Sequence, residues 1–148
     1  MKTILLVEDS RFMRLVNERA LTRAGYSVRT ACDGEEALRS AFEQPPDLVL
    51  LDMLLPKLGG PHVIQALKKS DLTAKIPIVV ISSLPKTNEA RLKKEGAVAY
   101  FDKEALKIHE NPDALVQAVK SILGDVPSVL KVSLAADTNV SHSSKGEA

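Results

Sequence analysis

The chain has 148 residues, 45% hydrophobic and 26% charged, a composition that suits one ordinary globular domain with a real core. Twenty Lys and Arg residues against nineteen Asp and Glu leave a formal charge of +1, so no global field draws the molecule to nucleic acid or to a membrane, and any partner must be recognised locally. Cys32 is the single cysteine, which excludes an intrachain disulfide and a cysteine metal cluster.

The opening MKTILLVED predicts a short strand over Ile4 to Val7 that runs into two acids. That apolar run is too short for a secretion signal, which needs about seven or more apolar residues, and no run reaches the roughly 18 of a membrane span. A cytoplasmic setting is expected. Phe12, Leu15, Val16 and Ala20 recur at helical spacing, and Gly25 follows where a helix C-terminal cap would sit. A weaker strand is predicted over Ser27 to Ala31. Asp33-Gly34-Glu35-Glu36 then opens a second helix with acids at its positive end, and Pro45-Pro46 stops it.

A second apolar run, Leu48 to Leu51, predicts another strand, followed by a helix from about Gly60 to Ser70. Ile78 to Ile81 is the third such run; a short helix from about Lys86 to Glu95 ends at Gly96, and Ala97 to Phe101 is a weaker strand. The last helix has Asn111 as expected N-cap, Pro112 at its first position and Asp113 next, then Leu115, Val116, Val119, Ile122 and Leu123 on one face before Gly124. The three apolar runs carry no alternation, which suits strands buried on both faces. Strand and helix alternate five times, so the expected fold is α/β: a doubly wound, five-stranded parallel sheet with five helices and the flavodoxin-like order 2-1-3-4-5. The domain is expected over 1–124. The Ser-rich remainder, 125–148, reads as a flexible tail with no output domain.

Ligands of an open parallel sheet bind beyond the carboxyl ends of its strands. There the chain repeatedly places reactive side chains: Glu8-Asp9 after strand one, Asp52 after strand three, Ser82-Ser83 after strand four, Asp102-Lys103 after strand five. Each has an ordinary reading alone, Asp9 or Ser10 as a helix cap, Ser82 as a turn residue, Lys103 as a solvated lysine. Asp52, inside DLVLLDMLLP, resists it, because Met53 to Pro56 do not open a helix. The expectation is that the leucines hold Asp52 at the mouth of a site without burying it. In the order 2-1-3-4-5, Asp9 can approach Asp52. Crowded carboxylates repel and call for a cation; oxygen-only ligands favour a hard ion such as Mg²⁺. An aspartate can be a nucleophile toward phosphorus, and phosphoryl transfer asks mainly for positioning and neutralisation of the oxygens.

These residues, with Leu55-Pro56 and Gly60 after Asp52, and Gly96-Ala97 and Tyr100 before Lys103, resemble the receiver domain of two-component response regulators in its single-domain form, similar to the chemotaxis response regulator, over about residues 2–124. The resemblance implies Asp52 as phosphoacceptor. It implies Mg²⁺ on Asp9, Asp52, the Leu54 backbone carbonyl and, through water, Glu8. Ser82 and Lys103 are implied as phosphoryl-binding groups, Ser82 and Tyr100 as the switch pair, and Leu54 and Leu84 as the positions that modulate hydrolysis. Neither leucine can orient water by hydrogen bonding, so a long-lived aspartyl phosphate is expected.

The resemblance also implies a histidine kinase or histidine phosphotransfer protein as donor and a downstream protein on the helix four, strand five and helix five face, with the chain a monomer or weak dimer and not an enzyme in the turnover sense. Nucleic acid and membrane are not expected as partners. Glu104 stands where receivers usually have proline, and the spacing from Ser82 to Gly96 is one residue shorter than usual.

The stand-alone regulator competes with a phosphorelay shuttle and with an unphosphorylated receiver-like scaffold. A flavin carrier of the same fold needs a phosphate-cradling loop where Glu8-Asp9 stand. A haloacid-dehalogenase-like phosphatase normally has a second aspartate where this chain has Leu54.

Overall fold

The computed structural model describes residues 1–53, 55, 57–82, 89–103, 107 and 110–124. Its strands are β1 (Thr3–Val7), β2 (Ser27–Ala31), β3 (Leu48–Asp52), β4 (Ile78–Ser82) and β5 (Ala99–Asp102), and its helices α1 (Arg11–Arg23), α2 (Gly34–Glu43), α3 (Gly60–Lys69), α4 (Glu89–Glu95) and α5 (Asp113–Leu123). The strands are all parallel, in the order β2-β1-β3-β4-β5.

Side chains alternate across each strand, so one strand feeds two cores. Leu5, Val7, Val49, Leu51, Ile78 and Val80 meet Ala37 and Ala41 of α2, Val63, Ile64 and Leu67 of α3, and Leu92 of α4. Ile4, Leu6, Leu48, Leu50, Val79 and Ile81 meet Ala20 and Leu21 of α1 and Leu115, Val116 and Val119 of α5. Helices on both faces leave β3 and β4 buried at every position, the physical reason their sequences show no alternation. No helix among the described residues is long and apolar enough to cross a membrane.

Several boundaries differ from expectation. β3 and β4 each run one residue further, so that Asp52 and Ser82 end their strands instead of following them, and β5 is displaced toward Asp102. Asn111 does not cap α5. Pro112, with φ −65 and ψ −13, takes the capping position without a side-chain bond, because the chain arrives already turning: the Asn111 amide donates to Lys107 O at 2.8 Å and the Ala114 amide to Asn111 O at 3.1 Å. The buried face of α1 is also rotated from the apolar stripe: Phe12 and Leu15 are 65% and 45% exposed, while Asn17 is fully buried beside Ala20 and Leu21. Gly25 ends α1 at φ +105, a left-handed position that few other residues adopt without strain. Residues 86–88 of the expected fourth helix and the expected tail, 125–148, lie outside the described residues.

Candidate functional site

Strand register assembles the carboxyl edge. Val7 lies beside Leu51, so Glu8, next along the chain, comes level with Asp52; Asp52 pairs with Ile81, and Ser82 with Asp102. Lys103, following β5, reaches back across β4. Its Nζ donates to Asp52 Oδ2 at 3.3 Å and to Glu8 Oε1 at 3.1 Å, so one ammonium joins two carboxylates from separate strands. The ion pairs are secluded, with side-chain exposures of 16% for Lys103, 10% for Asp52 and 2% for Glu8.

The second Glu8 oxygen, Oε2, accepts the Ser10 amide at 3.1 Å. Ser10 in turn caps α1, its hydroxyl accepting the Met13 amide at 3.3 Å, so the ordinary reading of Ser10 as a cap holds. Arg14, on the first turns of α1, donates from Nη1 to Glu8 O at 2.9 Å and to Asp9 O at 3.3 Å. This clamp on the end of β1 was not anticipated in the sequence. The spacing of five residues from Asp9 to Arg14, one turn past a serine cap, was the available signal.

Burial pushes the Glu8 carboxyl above the usual range, helped by the charge of Asp52 and opposed by Lys103 and the Ser10 amide. For Lys103, burial works against the charged form, but Asp52 and Glu8 outweigh it and hold the ammonium above its ordinary value. Negative charge at this edge is therefore only partly compensated from within. Oxygen is the only donor type that Glu8, Asp9 and Asp52 offer, which fits a hard divalent cation.

The expected residues come together unevenly. Asp52 is buried, 7% exposed, which corrects the expectation that it stands unburied at a mouth; the lysine allows a carboxylate to sit there. Asp9 is exposed at the rim. Among the described residues, Glu8, Asp9 and Asp52 do not bring one carboxylate oxygen each within 4.8 Å of one another, while Cys32 Sγ and one oxygen each of Asp33 and Glu36 do lie that close. That second group is a helix start: the Glu36 amide donates to Asp33 Oδ1 at 2.8 Å, and Glu36 Oε1 reaches back to accept the amide of Cys32, the residue before the cap, at 2.7 Å, a variant of the capping box. Ser82 is fully buried and Tyr100, 5% exposed, packs into the α2–α3–α4 core. Leu54, Leu84 and Glu104 lie outside the described residues.

A doubly wound sheet that gathers acids and one lysine at its carboxyl edge defines the class, and comparison supplies the family. Residues 4–120 match the model of the response regulator receiver domain; the chain belongs to this family. It is 30% identical over 125 residues to the polar-differentiation response regulator DivK of Brucella anthropi, covering 84% of this chain and 98% of DivK. It is 41% identical over 81 residues to the probable transcriptional regulator ycf27 of Cyanidium caldarium, covering 55% of this chain but only 31% of that relative. Among solved structures, the chemotaxis response regulator CheY4 of Vibrio cholerae superposes with a TM-score of 0.73 at 27% identity, covering 81% of this chain and 97% of that one. Receivers are phosphoacceptors of two-component systems and not enzymes in the usual sense, and Mg²⁺ at the phosphorylation site is a property of the family.

Proposed function

We propose that Asp52 accepts a phosphoryl group from a phosphohistidine of a histidine kinase or histidine phosphotransfer protein, and that the phosphorylated chain signals by binding a downstream protein. The observation that carries this reading is the single ammonium of Lys103 on Asp52 Oδ2, at the end of the central strand β3. A carboxylate oxygen of Asp52 attacks phosphorus, the bond from phosphorus to the donor imidazole breaks with its electron pair left on nitrogen, and that nitrogen recovers a proton from solvent. Lys103, already at the acceptor, follows the new charge onto a phosphoryl oxygen, and Ser82 offers its hydroxyl to another. Glu8, Asp9, Asp52 and the Leu54 carbonyl would hold Mg²⁺, which when bound neutralises charge on the phosphoryl oxygens.

The added charge of about −2 biases the surroundings of Ser82 and Tyr100, and through them the face formed by α4, β5 and α5. A match that covers 98% of the response regulator DivK supports action as a response regulator. A phosphorelay shuttle shares the same chemistry, and return of the group to a histidine phosphotransfer protein separates the two.

The test is incubation with Mg²⁺ and a small phosphodonor, followed by intact mass. One added phosphate is expected in the wild type and none in Asp52→Asn. With Leu54 and Leu84 at the hydrolysis positions, the adduct should persist well beyond seconds after donor removal. No adduct with any donor or kinase would leave the scaffold reading in its place.

A further inference from the structure

The start of α2 and the loop that leads from β3 to α3 are in unusually close contact. A Cβ built on Gly34 would lie 2.0 Å from Leu58 O, 2.6 Å from Leu58 Cβ and 2.8 Å from Leu58 C. The first and third of these are backbone atoms, which cannot swing aside as the tip of a side chain can. The φ of Gly34 is not left-handed, so this glycine is required by proximity and not by conformation. Beside it, Lys57 Nζ lies 3.5 Å from Asp33 Oδ2. Lys57 itself has φ +63, a conformation that a lysine holds only when its surroundings impose it.

The far end of the same loop closes on the residue after Asp52. The Gly60 amide donates to Met53 O at 3.4 Å, and a Cβ on Gly60 would fall 2.7 Å from Met53 Sδ and 3.1 Å from Met53 Cα. Contact therefore runs without a break from the α2 cap through residues 57–60 to Met53 and Asp52. Asp33, Gly34 and Lys57 act through this loop and not on the reacting atoms.

We propose that Gly34 and Asp33 are positioning residues for the cation site: by bracing residues 57 and 58 against α2 they fix the loop that closes on Met53, and so fix Asp52 in the place where it meets Mg²⁺. This rests on the reading of the carboxyl edge as a Mg²⁺ site. Outer groups that orient metal ligands commonly change affinity by about 10- to 100-fold when altered, and Gly34 belongs at the lower end of that range because it acts through a loop.

The experiment is Mg²⁺ titration of the full chain by calorimetry, with the unfolding midpoint of each variant measured in metal-free buffer. Gly34→Ala should weaken Mg²⁺ affinity about tenfold. Gly59→Ala, in the same loop but with only Pro61 Cδ at 3.9 Å from its added Cβ, should leave it unchanged. Asp33→Asn, which keeps the helix cap and loses the lysine partner, should weaken affinity about threefold, in keeping with an exposed ion pair. A folded Gly34→Ala variant with wild-type affinity would overturn the proposal. Should that variant fail to fold, Asp33→Asn decides, a weaker affinity supporting the proposal and an unchanged one removing it. Wild-type protein that takes up no Mg²⁺ removes the reading of the edge itself, and the inference with it.

Discussion

Lys103→Met is expected to lower the stability of the domain at neutral pH by about 2–3 kcal/mol, measured by urea unfolding in metal-free buffer. The methionine preserves most of the packing of the lysine stem, so the loss isolates the charge. Removing one partner of a buried ion pair leaves the other uncompensated, a change that typically costs about 3–5 kcal/mol. Partial access of solvent at Lys103, 16% exposed, and at Asp52, 10%, places this site at or below the foot of that range. Two carboxylates lose the same cation here, and Glu8, already held toward its protonated form by burial, can relieve the strain by taking up a proton.

That relief gives the prediction a pH signature. In the wild type, Glu8 is held above its ordinary value of 4.5 by burial and by Asp52. The folded state therefore binds more protons than the unfolded one just above pH 4.5, and stability falls as pH rises through that window. Lys103 is held above 10.5; its stabilising share is complete below that value and is lost only as pH climbs through the folded one. Without Lys103, Glu8 rises further. The deficit of the variant should then be largest at neutral pH and shrink as the solution is acidified toward pH 4.5. In the companion Glu8→Gln the repulsion is gone and the lysine remains on Asp52, so stability at neutral pH should equal or exceed the wild type. A deficit in Lys103→Met that is absent, or flat from pH 4.5 to 8, would show that the ion pair with Glu8 does not set the stability of this edge.

The contrast between what the sequence disclosed and what it hid follows from how each residue acts. Sheet order and the two-sided core were legible because Leu48 to Leu51 and Ile78 to Ile81 are apolar without alternation, and only helices on both faces produce that pattern. Glu8, Asp9, Asp52, Ser82 and Lys103 were legible as a group because each ends or follows a strand, and parallel strands bring those ends to one edge. The ion pair of Lys103 with Glu8 was not legible: it joins residues separated by 95 positions, and no local pattern encodes which of several acids a long flexible side chain will reach. The bracing of Leu58 by Gly34 was hidden for a related reason. A glycine required by a distant neighbour looks in sequence like any glycine near a helix start. On α1 the hydrophobic pattern itself misled, since Phe12 and Leu15 turn outward and a polar residue takes their place in the core.

That polar residue, Asn17, yields the second large effect. It is fully buried, and among the described residues neither its amide nitrogen nor its amide oxygen has a hydrogen-bond partner. Burying an unsatisfied amide costs about 1–3 kcal/mol by the record of protein substitutions. Asn17→Leu removes that cost and adds apolar surface on the buried face of α1 that carries Ala20 and Leu21, two residues of the core shared with α5. The larger side chain brings some crowding, which in packed interiors is itself destabilising, so the expected net gain is about 1–2 kcal/mol. For a domain of this size the unfolding midpoint should rise by roughly 3–8 °C. Asn17→Ala tests the polar contribution without crowding. It exchanges an orphaned amide for a small cavity and should lie within about 1 kcal/mol of the wild type, where truncating a well-packed leucine would cost about 2–5 kcal/mol. Strong destabilisation by both variants would mean that the Asn17 amide is satisfied in solution and that α1 is held by it. Gains in Asn17→Leu with Mg²⁺ affinity unchanged would show instead that this helix, although it departs directly from Asp9, carries a stability deficit that the cation site does not use.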